Sequence, residues 1–340
     1  MDITKYIDKG ITGLQNLGNT CFINSAIQCT FNIYELNKIM DDENIKKKFN
    51  NKPDTIVLLE WDNLRKMYWD ENCTISPGGF VSNIRKISRI KDKDIFSGYA
   101  QNDLPEFLLF IIDCFHNALS REVIMNINGV VLNNKDKMAK DCYTMMQKMY
   151  KKEYSEVLTL FFGIHVSSII SQTNNILSTT PEPFLNLSLP IKSNNCNIYD
   201  CFDLYLENET LDGDNAWLNE KTKKKEPVTK KIQFWSLPKI MIIDFKRFNN
   251  QLKKDNSYIY FPLDDLDMKK YVNEYNNFSY IYDLFGICNH IGGVTCGHYT
   301  SFIKNANGKW YHYDDITVNE VPKSTIITTN AYCLFYRKKY

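Results

Sequence analysis

With 340 residues, 44% of them hydrophobic and 24% charged, the chain has the make-up of a folded water-soluble protein, and its size predicts packed sub-domains around more than one core. A formal net charge of +1 supplies no global basic field, which argues against charge-driven binding to nucleic acid or an anionic membrane; the lysine run at 221–225 reads as a local solvated loop. The densest apolar runs, at 107–112 and 157–164, fall far short of the roughly 18 residues that span a bilayer, and the opening Met1-Asp2-Ile3-Thr4 does not read as a signal peptide.

Ten cysteines stand at 21, 29, 73, 114, 142, 196, 201, 288, 296 and 333, and none forms a Cys-x-x-Cys pair. Several sit within apolar runs, so buried free thiols in a reducing intracellular compartment, cytoplasmic or nuclear, are expected for most of them. The open question is whether any is a nucleophile.

Residues 1–11 read as a lead-in. Asn19-Thr20 then precedes Cys21-Phe22-Ile23-Asn24-Ser25-Ala26-Ile27-Gln28, whose apolar residues recur at helical spacing. Asn or Thr suits an N-cap, which sets Cys21 in the first turn of a helix. There the positive end of the helix dipole favours thiolate over thiol. Asn16, five residues earlier in a turn-rich stretch, could aim its amide at an oxyanion beside the Cys21 N–H. A buried structural thiol fits the same pattern.

A second helix is predicted from Asp103 to Leu119, with Asp103 as cap, Pro105 in the first turn and Glu106 where a capping box places an acid. Its apolar face is Phe107, Leu108, Phe110, Ile111, Cys114 and Phe115. Between about 121 and 150 the chain turns polar around 133–137 and then helical, an excursion from the core. From 157 onward β-favouring residues dominate, with strands expected at 240–245, 281–287, 299–303 and 332–336 and a hairpin turn at Asn307-Gly308. Helices first and antiparallel sheet afterwards make an α+β protein.

Near the C-terminus Gly297-His298-Tyr299 opens a strand, and the hairpin returns Trp310-Tyr311-His312-Tyr313-Asp314-Asp315 alongside it. Either aspartate could come level with His298 and hold its tautomer; a histidine satisfied on a sheet beside two solvated aspartates is the plain alternative.

Taken together, Gly13-Leu14-Gln15-Asn16-Leu17-Gly18-Asn19-Thr20-Cys21-Phe22-Ile23-Asn24-Ser25 resembles the cysteine box of the ubiquitin-specific proteases. The stretch from Tyr282 through His290 to Gly297-His298-Tyr299, with Trp310 and Asp314-Asp315, is similar to their histidine box. Gln101-Asn102-Asp103-Leu104-Pro105-Glu106-Phe107-Leu108 and the pair Leu237-Pro238-Lys239-Ile240 and Asp244-Phe245-Lys246-Arg247-Phe248 match two further landmarks in the family's order.

The resemblance implies a papain-like cysteine protease with thumb, palm and fingers: thumb at about 12–125, fingers and palm at about 155–340, in one catalytic domain over 12–340. It implies hydrolysis after ubiquitin's C-terminal glycine through a thioester, with Cys21 as nucleophile, His298 as base, Asn16 at the oxyanion and Asp314 as third triad member. Asp315 would support or replace Asp314, and Asp314→Ala is expected to lower turnover more than Asp315→Ala. Gln101, Asp103, Glu106 and Tyr299 would line an acidic channel for the ubiquitin tail. Ubiquitin and ubiquitinated proteins are the implied partners of a monomer that needs no cofactor. The alternatives are a non-catalytic ubiquitin-binding protein and a protease for a ubiquitin-like modifier. The chain departs from many relatives in lacking two Cys-x-x-Cys pairs in the fingers, with Asn219 and Thr222 where thiolates would stand, so no zinc is expected. Cys296 reads as a loop thiol near the site.

Overall fold

The computed structural model describes residues 2–220, 222–275, 279–294 and 296–339. Lys221, within the lysine run, lies outside them. The chain builds helices first: α1 (Cys21–Phe31), α2 (Asp54–Asp70), α3 (Gly78–Ile90), α4 (Leu104–Leu119), α5 (Asn134–Glu153) and α6 (Glu156–Phe161), with shorter turns between. All eleven residues of α1 are buried, because the helix runs between the other helices and a sheet. Its polar residues are therefore bonded internally: Ser25 Oγ donates to the Thr300 carbonyl at 2.9 Å, and Trp61 Nε1 donates to Thr30 Oγ1 at 2.9 Å.

Two sheets follow. The first is antiparallel, ordered β2–β1–β5–β4, from β1 (Gly163–Ser171), β2 (Ile176–Phe184), β4 (Glu209–Leu211) and β5 (Val228–Ser236). Helix α5 covers part of it through Ala139 and Cys142 against Ile164, Val166 and Trp235. The second sheet runs β10–β9–β8–β7–β11–β6–β3, from β3 (Asn186–Leu189), β6 (Ile240–Phe245), β7 (Ile281–Gly292), β8 (Gly297–Lys304), β9 (Trp310–Asp314), β10 (Thr317–Val321) and β11 (Ala331–Lys338), with Leu266–Asp267 also paired to β7. It is antiparallel except that β3 runs parallel to β6, an exception to the all-antiparallel expectation.

Strand β6 is buried along its whole length, and the period of two explains how. Ile240 and Ile242 face the helices; Met241, Ile243 and Phe245 join a second core on the opposite face. A central strand covered on both faces reads as a near-continuous apolar run, broken here by Asp244, whose carboxylate accepts from Asn186 Nδ2 at 2.6 Å and Ser188 Oγ at 2.5 Å.

All four strands expected from the sequence form, several longer than expected, and Asn307-Gly308 lies in the β8–β9 turn with Gly308 at φ 83°. The polar stretch at 133–137 is not loop: Asn133 and Asp136 close a reciprocal capping box that starts α5. The predicted capping box at Asp103 and Glu106 does not form; Asp103 precedes α4 without a side-chain cap. Eight of the ten cysteines are buried and free, and Cys73 and Cys296 are exposed. Among the described residues no helix is long and apolar enough to cross a membrane.

Candidate active site

The two ends of the sequence meet. Gly13 and Leu14 pair in parallel with Thr74 and Ile75, and the Leu14 N–H donates to the Asp315 carbonyl at 2.8 Å. A Cβ on Gly13 would collide with the Ile316 backbone, so only glycine lets the segment before the Asn16 turn lie against the end of β9. Asp315 turns the chain there at φ 47°, a conformation Asp tolerates better than most residues.

That turn separates the two aspartates. Asp314 Oδ1 lies 2.6 Å from His298 Nε2. Asp315 stays within 4.8 Å of that pair but takes other partners: its Oδ2 accepts from Asn16 Nδ2 at 2.9 Å and its Oδ1 from Asn24 Nδ2 at 2.8 Å. The side-chain oxygen Oδ1 of Asn16 in turn accepts from the Gly18 and Thr20 backbone N–H groups, each at 3.1 Å, which fixes the amide's orientation. An amide nitrogen carries two hydrogens, so Asn16 keeps one beyond its bond to Asp315. Because His298 meets Asp314 through Nε2, Nδ1 is the ring nitrogen left for a second partner.

Cys21 begins α1 as expected, with Thr20 at the N-cap position but without a side-chain cap bond; Thr20 Oγ1 accepts from Leu17 N–H at 2.8 Å and tightens the preceding turn instead. Cys21 is 2% exposed. Burial pushes its thiol pKa up; the Tyr299 backbone amide acts against this, and the charge of Asp315 adds to it. The helix dipole alone led to the expectation of a favoured thiolate, and burial outweighs it. Among the described residues no hydrogen bond joins Cys21 to His298, and burial favours the un-ionised form of the Cys21 thiol.

Around the approach to Cys21, Tyr299 is buried, with its ring 4.7 Å from His290 and 6.3 Å from Tyr332. The Tyr332 hydroxyl donates to Asp103 Oδ1 at 2.7 Å. Asp103 is solvent-accessible as a residue, yet the protein around its carboxylate raises its pKa, the Tyr332 hydroxyl opposes the rise, and the charges of Asp244 and Glu106 add to it. Glu106 is exposed. Gln101 spends both amide atoms on Gly297: Oε1 accepts its N–H at 2.8 Å and Nε2 donates to its carbonyl at 2.6 Å.

Three neighbours were not singled out in the sequence. Asn24 lay within the cysteine box, one turn after Cys21, and its spacing was a usable signal. Tyr332 and Asp244 lie on strands β11 and β6, where nothing local announces a contact with Asp103. In a separate two-stranded hairpin, Trp217–Asn219 with Lys224–Glu226, Asn219 Nδ2 and Thr222 Oγ1 both donate to Glu226 and close the turn.

The family model described as ubiquitin carboxyl-terminal hydrolase matches residues 12–336. "Ubiquitin carboxyl-terminal hydrolase 2" of Homo sapiens is 30% identical over 341 residues, covering 96% of this chain and 55% of that protein. The Gallus gallus protein of the same name is 31% identical over 340 residues, covering 96% and 93%. The chain thus spans about half the length of the mammalian relatives it matches. Among solved structures, the SAGA Ubp8/Sgf11/Sus1/Sgf73 DUB module bound to ubiquitin aldehyde superposes with a TM-score of 0.75 over 100% of this chain and 72% of that one, at 24% identity, a likeness of fold. The chain belongs to the ubiquitin carboxyl-terminal hydrolase family.

Proposed function

We propose that the chain is a deubiquitinating cysteine protease that hydrolyses the isopeptide or peptide bond after the C-terminal glycine of ubiquitin. The observation that carries this reading is the division of labour between adjacent aspartates, one on the base and one on the oxyanion amide, beside the helix that Cys21 opens.

In this mechanism His298 Nδ1 takes the Cys21 proton while Asp314 holds the ring through Nε2 and stabilises the imidazolium. The thiolate attacks the terminal glycine carbonyl, and the oxyanion is met by the free hydrogen of Asn16 Nδ2 and the Cys21 N–H. The tetrahedral species collapses as His298 returns the proton to the leaving amine, which leaves a thioester on Cys21. Water, losing a proton to His298, then attacks the thioester; Cys21 leaves as thiolate and regains that proton. A buried, un-ionised thiol suits a step in which substrate binding brings sulfur and imidazole together.

Asp103 and Glu106 supply negative charge for the arginines of the ubiquitin tail, and Tyr299 lines the channel. The helical part to about 125 acts as thumb, the four-stranded sheet as fingers and the larger sheet as palm. The small net charge supports action without nucleic acid, and the buried free thiols support a reducing compartment, cytoplasm or nucleus. Hydrolysis of a fluorogenic ubiquitin amide by wild type and Cys21→Ala tests the proposal: turnover abolished in the variant supports it, and equal turnover by both refutes it.

A further inference from the structure

We infer that Gln101 is a positioning residue for His298, acting through Gly297, rather than a contact for the ubiquitin tail; the inference rests on the deubiquitinase reading for its catalytic meaning. Both amide atoms of Gln101 bond the backbone of one residue, at 2.8 and 2.6 Å, and that residue immediately precedes His298. The side chain mimics a strand neighbour at the point where β8 begins.

Gly297 is held from a second side. A Cβ there would collide with His290 Nε2, so its backbone is seated directly on that ring. Its strand partner is Gly292, at φ 99°, and the Gly293 N–H donates to the Cys296 carbonyl at 3.0 Å across the turn. The clasp adds a side-chain restraint to these at the start of β8, one residue from the imidazole.

The other end of the clasp leads to the nucleophile. Asn19, two residues before Cys21, donates to the Tyr99 carbonyl at 3.0 Å. Arg85 Nε donates to the Gly98 carbonyl at 3.1 Å while its guanidinium lies 3.9 Å over the Tyr99 ring, and Arg89 Nη2 donates to the Ser97 carbonyl at 3.1 Å. Residues 97–101 therefore form a strap fixed to the Cys21 turn and to α3, and Gln101 carries that fixation across to the strand of the base. A small misplacement between base and nucleophile is costly in rate, whereas it leaves ubiquitin's distant contacts intact.

Gln101→Met keeps the side chain's length and removes both bonds; Gln101→Glu keeps the acceptor for Gly297 N–H and, while ionised, opposes its carbonyl. With a fluorogenic ubiquitin amide, Gln101→Met is expected to lower kcat by about tenfold with KM within about twofold of wild type at every pH. The deficit of Gln101→Glu relative to wild type is expected to shrink as pH falls and its carboxyl regains a donor proton. Amide hydrogen exchange of the peptide covering 297–299 is expected to accelerate in Gln101→Met while that of 240–245 does not change. A raised KM with kcat intact would return Gln101 to tail binding and overturn the inference. Wild-type exchange at 297–299 in Gln101→Met would also overturn it, and that readout decides the clasp even for a chain that cleaves no ubiquitin amide, an outcome that would count against the deubiquitinase reading alone.

Discussion

Replacing Asp315 by Asn tests the separation of the two aspartates, because Asn preserves shape and tolerates the φ of 47°. The carboxylate accepts one N–H from Asn16 at 2.9 Å and one from Asn24 at 2.8 Å. An amide can accept only through its oxygen, so one of the two donors would face an NH2 group. A hydrogen bond to a charged group contributes about 1.5–3 kcal/mol, and the exposure of Asn16 puts this one at the low end, about 1.5 kcal/mol or tenfold in rate. Asp315→Asn should therefore lower kcat/KM for a ubiquitin amide by about tenfold. Since the effect passes through Asn16, the same change in an Asn16→Ala background should cost only about threefold, a coupling of about 0.7 kcal/mol. Asp314→Asn should instead be additive with Asn16→Ala, since Asp314 acts on His298. Asp314→Ala should lower turnover by roughly a hundredfold, more than Asp315→Ala. Full additivity of Asp315→Asn with Asn16→Ala would refute the assignment of Asp315 to the oxyanion amide.

Three further outcomes are expected. Glu106→Lys should raise KM for ubiquitin amides by about tenfold with kcat little changed, and an unaltered KM would remove Glu106 from tail recognition. Burial, reinforced by Lys254, lowers the His290 pKa from 6.5 to about 4. Between those values the unfolded chain binds more protons than the folded one, so stability falls as pH drops from 6.5 toward 4, and the contribution is fully present above 6.5. Urea midpoints across that range should show a shallower slope in His290→Gln, and superimposable slopes would count against it. Elemental analysis should find no stoichiometric zinc, and chelators should leave the melting temperature unchanged; one zinc per chain would show that Asn219, Thr222 and Glu226 do not replace a metal site.

The features legible in the sequence are those with local causes. Cys21 at a helix start and the β8–β9 hairpin around Asn307-Gly308 follow from short-range pattern and turn chemistry. So does β6, whose run of four apolar residues, Ile240 to Ile243, marks a strand covered on both faces. The split between Asp314 and Asp315 was not legible, because it depends on a left-handed turn and on Gly13 approaching Ile316 from the other end of the chain. Asp103 misled for a related reason: its cap position is real, but the Tyr332 hydroxyl, 229 residues away in sequence, takes up its oxygen. The upward shift of the Cys21 thiol was not legible either, since a helix dipole can be read from a pattern, whereas burial of the sulfur depends on the tertiary packing around it.

The most direct measurement is the mass of the protein after exposure to ubiquitin carrying a C-terminal electrophile, for wild type, Cys21→Ala and His298→Ala. The proposed chemistry predicts one covalent ubiquitin on wild type, none on Cys21→Ala and slowed capture on His298→Ala. Capture that persists without the Cys21 sulfur, or a wild type that binds ubiquitin and never reacts, would contradict it.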